Sequence, residues 1–240
     1  VVNGQKIWTS RAEYSDLLLL LARTTPLDKC ARKTDGLSVF LIDMREVRGK
    51  SLTITPIRTM MNHSSTQLFF DDMRIPASSL VGEEGKGFRY ILSGMNAERI
   101  LIAAECIGDA KWFIKKASAY ATERSVFDRP IGQNQGIQHP LAECWMELEA
   151  AQLMAMHAAK LYDAGEECGA HANSAKYLGG EAGFKACTQA IMTHGGMGYA
   201  KEYHVERLLR EVMISRIAPV SPQMILNYIS ERVLELPRSY

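Results

Sequence analysis

The apolar residues of this chain change period once, between Pro76 and Gly87, and that change limits the fold to a β part followed by a helical part. Before it, the segments 17–21, 38–43, 52–56 and 67–70 are short runs rich in leucine, branched or aromatic residues. Asn3-Gly4, Thr34-Asp35-Gly36, Arg48-Gly49 and Asp71-Asp72 separate them as turn formers, which predicts an antiparallel sheet domain. After Gly82–Gly87 the spacing predicts helices over 86–125, 134–164, 168–193, 203–216 and 222–236. Arg129-Pro130-Ile131-Gly132, Gly165, His194-Gly195-Gly196 and Pro219 break them, and Pro140 is tolerable only in the first turn or two of its helix. Four or five long helices on short loops predict an up-and-down four-helix bundle, and the fold class is α+β.

One helix carries a chemical anomaly. Phe88, Ile91, Met95, Glu98, Ile102 and Cys106 follow steps of three and four, so Glu98 interrupts an apolar stripe. A carboxyl group held there would be a stronger proton acceptor near neutral pH, because burial disfavours its charged form. The competing reading turns Glu98 to solvent or pairs it with Arg99 or another cation.

The 240 residues suffice for one large or two ordinary domains, and 47% hydrophobic with 23% charged residues is a globular composition. A net charge of +1 gives no reason to expect nucleic acid or an anionic membrane as partner. The five cysteines lack a C-x-x-C pair and are odd in number, which fits a reducing compartment; the six histidines show no metal-ligand spacing. The apolar run 17–22 is too short to cross a bilayer, and no secretory leader is expected. A start at Val1 in mid-pattern predicts a missing N-terminal portion.

Three motifs have both a structural and a ligand-binding reading. Gly195-Gly196-Met197-Gly198-Tyr199 is either a helix C-cap or a place where backbone approaches a ligand. Trp8-Thr9-Ser10 is either a packed aromatic with a turn or a stacking face with hydroxyl donors for a planar cofactor. Arg124 and Arg129 around Phe127 are either solvated charges or a diphosphate site.

In order along the chain, these pieces resemble the acyl-CoA dehydrogenase family over nearly all residues. The likeness is carried by Gly4-Gln5-Lys6-Ile7-Trp8-Thr9-Ser10, Phe70–Pro76, Gly82–Phe88 and Glu98-Arg99. It continues with Tyr120-Ala121, Arg124–Ile131, Gln135–Gln138 with Leu141-Ala142, and His194–Tyr199 with Glu202, Glu206 and Arg210. The resemblance implies that 1–85 is the C-terminal portion of a middle β domain, that 86–240 is the C-terminal bundle, and that an N-terminal helical domain is absent from this chain. It implies FAD as cofactor, with Trp8 against the isoalloxazine and Thr9 and Ser10 near the ring. Arg124, Phe127 and Gln135 would bind FAD across a subunit boundary, Gly195 and Gly196 would admit its adenosine end, and Ser221 and Gln223 would hold the flavin from the last loop. No metal is implied.

Many members place the catalytic glutamate in a C-terminal I-Y-E-G-T segment, where this chain has Ile217-Ala218-Pro219-Val220-Ser221. A minority carries it in an E-R-L segment on the first bundle helix, which Glu98-Arg99-Ile100 matches. The resemblance therefore implies that Glu98 removes the α-proton of an acyl-CoA thioester, that Arg99 touches substrate, and that a trans-2-enoyl-CoA is formed. An electron-transferring flavoprotein would be the acceptor, a homotetramer or dimer of dimers the assembly, and the bacterial cytoplasm or mitochondrial matrix the compartment. The alternatives are an acyl-CoA oxidase or flavin monooxygenase of the same fold, or an inert scaffold derived from it. Met192 in place of a glutamine, Asp128 in place of a glycine, and Pro219 motivate the last.

Overall fold

The computed structural model describes residues 1–61 and 64–239. It comprises two compact units, Val1–Gly94 and Met95–Tyr240. The first holds β1 (Val2–Ser10), β2 (Leu17–Arg23), β3 (Leu37–Asp43), the one-turn helix α1 (Met44–Val47), β4 (Leu52–Pro56), β5 (Ser65–Met73) and β6 (Leu80–Val81). They form two antiparallel sheets, ordered β1-β5-β4 and β2-β3-β6. The leucine run of β2 is sorted by the pleat alone: Leu18 and Leu20 are buried, while Leu17 and Leu19 are each 55% exposed. Leu18 and Leu20 join Ile42, Met44, Leu52, Leu68, Phe70 and Met73 in one core shared by both sheets. Each such side chain contributes roughly 1.5–3 kcal/mol by leaving water.

Two turns expected from sequence are absent. Asn3-Gly4 lies inside β1 and Asp71-Asp72 inside β5, facing each other across a bulge. The Asn3 amide donates to Asp72 Oδ1 at 2.8 Å, and the Asp72 backbone N–H donates to Asn3 Oδ1 at 2.7 Å. Polar, turn-favouring residues here serve the irregular end of a ladder rather than a reversal.

The helix α2 (Gly87–Glu123) starts in the first unit, where a Cβ on Gly87 would lie 2.6 Å from the Ser38 carbonyl carbon. In the second unit it is followed by a two-rung hairpin, β7 (Ser125–Val126) and β8 (Arg129–Pro130). Then come α3 (Gln135–Asp163), α4 (Gly169–His194), α5 (Gly196–Tyr199), α6 (Val205–Ile217) and α7 (Pro222–Arg232). Pro140 falls in the second turn of α3. The last helix ends at Arg232, short of the expected 236, because Leu234 and Leu236 have no core to enter and stay 60% and 52% exposed.

α4 is the central helix, packed on α3, α6 and α7. Its residues Gly179, Gly180 and Gly183 permit close approach: a Cβ on each would lie 3.2 Å from the carbonyl oxygens of Ala103, Ser215 and Cys106 respectively. Ala103, Ile107, Ala110 and Phe113 of α2, Leu141, Cys144, Leu148 and Ala151 of α3, and Ala182, Ala186 and Cys187 of α4 form the core. Burial pushes the Cys106 thiol up to about 11 and the Cys187 thiol up to about 12. On the surface Lys185 of α4 bridges Glu143 at 3.1 Å and Glu147 at 2.6 Å of α3. An exposed link of this kind contributes about 0.5 kcal/mol.

Candidate functional site

Where α2 ends, the chain reverses through Phe127 (φ 54°) and Asp128 (φ 65°). Two successive positive φ values make a type I′ hairpin turn, a place where Asp is better tolerated than most side chains. The turn fixes the backbone of Arg124, whose N–H donates to the Tyr120 carbonyl at 2.9 Å and whose carbonyl accepts from Ile131 N–H at 2.8 Å. Its side chain borders a cavity of about 450 Å³ that Tyr120, Val126, Ile131, Met192, His194, Gly195 and Gly196 also line. A second cavity of about 380 Å³ shares Tyr120, Arg124, His194 and Met197 and adds Lys116, Glu123 and Tyr203.

The floor of both is His194, 3% exposed. Its ring stacks on Tyr120 at 4.4 Å and 24°, with Tyr203 edge-on to both. Nδ1 lies 2.7 Å from the Ala190 carbonyl, which can only accept, so Nδ1 carries a proton. The buried Nε2 has no hydrogen-bond partner among the described residues. At the rim Gly195 closes α4 with φ 59°, and a Cβ placed on Gly195 or Gly196 would meet nothing within 4 Å. A guanidinium and bare backbone over a buried histidine–tyrosine floor fit an anionic ligand with a heteroaromatic end, as FAD has.

Arg124, Gly195 and Gly196 are thus brought together. Phe127, 94% exposed at the hairpin tip, and Gln135, exposed in the first turn of α3, do not line this cavity. Ser221 is the N-cap of α7, its Oγ accepting from Met224 N–H at 3.4 Å, and Gln223 is exposed beside it. In the first unit Trp8 stands on a bulge with φ 63° and is 64% exposed. The Thr66 hydroxyl donates to the Thr9 carbonyl at 2.7 Å, and Ser10 is exposed. The turn after it is pinned by Arg48, which donates to the carbonyls of Ala12, Glu13 and Ser15 at 2.8, 2.9 and 2.8 Å.

Glu98 departs from expectation: within this chain its side chain is exposed, not buried. The stripe around it is only half-buried, and α2 enters the bundle core at Ile100 and Ala103, just beyond Glu98. Arg99 is half-buried; its Nη1 donates to Asn96 Oδ1 at 3.1 Å, and burial lowers its pKa against the pull of Tyr228 and Glu98. Two residues were given no role from sequence, His194 and Lys176. For Lys176 a signal existed, a lysine among Ala172, Ala175, Gly179 and Gly183 on one helical face. For His194 the sequence offered only its place in the His194–Tyr199 motif, because its stacking partner is 74 positions away.

Family models of the acyl-CoA dehydrogenase C-terminal domain and middle domain match residues 85–234 and 1–73. The acyl-CoA dehydrogenase FadE12 of Mycobacterium tuberculosis is 37% identical over 242 residues, covering 100% of this chain and 61% of its own length. The structure of a glutaryl-coenzyme A dehydrogenase glutaryl-CoA complex is similar at TM-score 0.90 and 30% identity, over 99% of this chain and 59% of that one. PigA with FAD and proline is similar at TM-score 0.90 and 26% identity, over 96% and 59%. The chain thus spans about three fifths of the length of such relatives. With both domain models matched in order along it, the chain belongs to the acyl-CoA dehydrogenase family.

Proposed function

We propose that the protein is an FAD-dependent acyl-CoA dehydrogenase, converting an acyl-CoA thioester to the trans-2-enoyl-CoA. The observation that carries this is the gathering of Arg124, Gly195 and Gly196 around one cavity floored by His194, in a chain of this family. We further propose that residues 1–85 and 86–240 act as middle and C-terminal domains, that the protein is a homotetramer, and that an electron-transferring flavoprotein is its acceptor.

When bound, FAD supplies the hydride acceptor for the substrate β-carbon. Arg124 neutralises diphosphate charge, and the open backbone at Gly195 and Gly196 admits the adenosine end. Trp8 offers the ring a stacking face, with Thr9 and Ser10 beside it and Ser221 and Gln223 as further flavin contacts; Arg124, Phe127 and Gln135 serve FAD across the subunit boundary. The Glu98 carboxylate takes the α-proton, and Arg99 beside it orients the thioester. A carboxylate in open water is too weak a base for that proton, so bound substrate must cover Glu98 and exclude solvent from it. Glu98→Gln in the full-length protein should retain FAD and lose on the order of 10³-fold in turnover; wild-type turnover with normal flavin content refutes the assignment.

A second reading is an oxidase of the same fold: AnaB, a prolyl acyl carrier protein oxidase, shares this architecture at TM-score 0.89 and 24% identity. Stoichiometric oxygen consumption during turnover would select it over the dehydrogenase.

A further inference from the structure

Lys176 is the most deeply buried charge among the described residues, 1% exposed in the first third of α4. Among the described residues no carboxylate pairs with it. Glu181, on the same helix, is taken instead by Arg216 in a two-pronged contact, 2.9 Å on each arm. The Lys176 ammonium donates to two backbone carbonyls, Val220 at 2.8 Å and Arg216 at 3.4 Å. Burial lowers its pKa, a cost a lysine here would shed by substitution unless its donors were needed.

Those carbonyls belong to the turn that closes α6 and opens α7. At the end of α6 the Ala218 N–H still reaches the Ile214 carbonyl at 2.8 Å, but the carbonyls beyond it have no helical donor. A cation at a helix C-terminus satisfies them and also offsets the negative end of the helix dipole. Val220 is the residue before Ser221, and Ser221 caps α7, on which Gln223 follows in the first turn. One buried ammonium therefore sets where α7 begins. The neighbouring pair Glu181–Arg216 anchors the same end of α6 through its side chain but touches no carbonyl of the turn.

We propose that Lys176 is a positioning residue, fixing the 216–221 turn so that Ser221 and Gln223 are presented to the flavin cofactor. The inference rests on the flavoenzyme reading above. In the full-length protein, apoenzyme is titrated with FAD by flavin fluorescence, and visible circular dichroism and the apoenzyme melting temperature are recorded. Lys176→Met should weaken FAD by about tenfold or more and alter the flavin dichroic bands. Lys176→Gln, whose amide can still donate to the Val220 carbonyl, should restore affinity to within about threefold of wild type. Glu181→Gln is the control for general loosening of α4 against α6, and should leave FAD affinity within about twofold.

Unchanged affinity and dichroism in Lys176→Met overturn the proposal. So does a loss in Glu181→Gln that scales with melting temperature as the Lys176→Met loss does. If Lys176→Met does not accumulate folded, Lys176→Gln against Lys176→Ala carries the comparison, and equal FAD affinities in those two overturn it. A wild-type protein that takes up no FAD would instead remove the flavoenzyme reading, a distinct result.

Discussion

The rings of Tyr120 and His194 lie nearly parallel, 4.4 Å apart, and lock the end of α2 to the end of α4 beneath the cavity that Arg124 borders. His194→Ala removes that stack and the Nδ1 bond to Ala190, and leaves a void in a buried site. The cost should be about 2–4 kcal/mol in unfolding free energy. Urea denaturation of the full-length apoenzyme measures it, and flavin retention on gel filtration should fall in parallel.

Arg124 is exposed and accepts no structural duty through its side chain, so its charge can be removed cleanly. Arg124→Met should leave the melting temperature within about 2 °C while FAD affinity drops by about tenfold. Fluorescence titration against thermal melts of the same preparation separates the two effects.

Two glycines three positions apart in a single bend, Gly195 and Gly198, should respond differently. A Cβ on Gly198 would sit 2.6 Å from the Ile191 carbonyl oxygen, a backbone atom that cannot step aside. Gly198→Ala should therefore destabilise by about 2–3 kcal/mol. At Gly195 there is free space but a φ of 59°. Gly195→Ala should cost about 1–2 kcal/mol and act chiefly on cofactor affinity. Parallel denaturation and FAD titrations of both variants test the contrast.

Asp109 of α2 is raised from 3.8 to about 6, first by burial and then by Glu105 and Glu211. The folded protein thus holds a proton between about pH 4 and pH 6 that the unfolded chain has released. Stability contributed by this group is full below that window and is lost as pH rises through it. Asp109→Asn should stabilise at pH 8 by about 1 kcal/mol, after discounting for its partial exposure, and by nothing near pH 4. Denaturant midpoints at the two pH values decide it.

Strands β2 to β5 were legible because their residues are ones a half-buried pleat selects. β1 was harder: it is an edge strand, largely exposed, and Asn-Gly-Gln-Lys spells a turn as readily as an edge. The long helices were found within about two residues at most ends, since glycines and prolines stop helices by local chemistry. Arg124, Gly195 and Gly196 could be named because charge and missing side chains are visible in a motif. That Tyr120 and His194 build the floor between them is a contact across 74 residues, which no local pattern records. The exposure of Glu98 was misread for a related reason: a stripe shows which residues share a helical face, not whether anything lies against each turn of it.

Cys106 and Cys187 face the bundle core with protonated, sheltered sulfurs. Because only the thiolate attacks an alkylating agent, modification of these two side chains must wait until the helices part. Their reaction rate with iodoacetamide is then an intrinsic clock for opening of the bundle, and slowing of that clock by an added cofactor would report its binding without any measurement of catalysis.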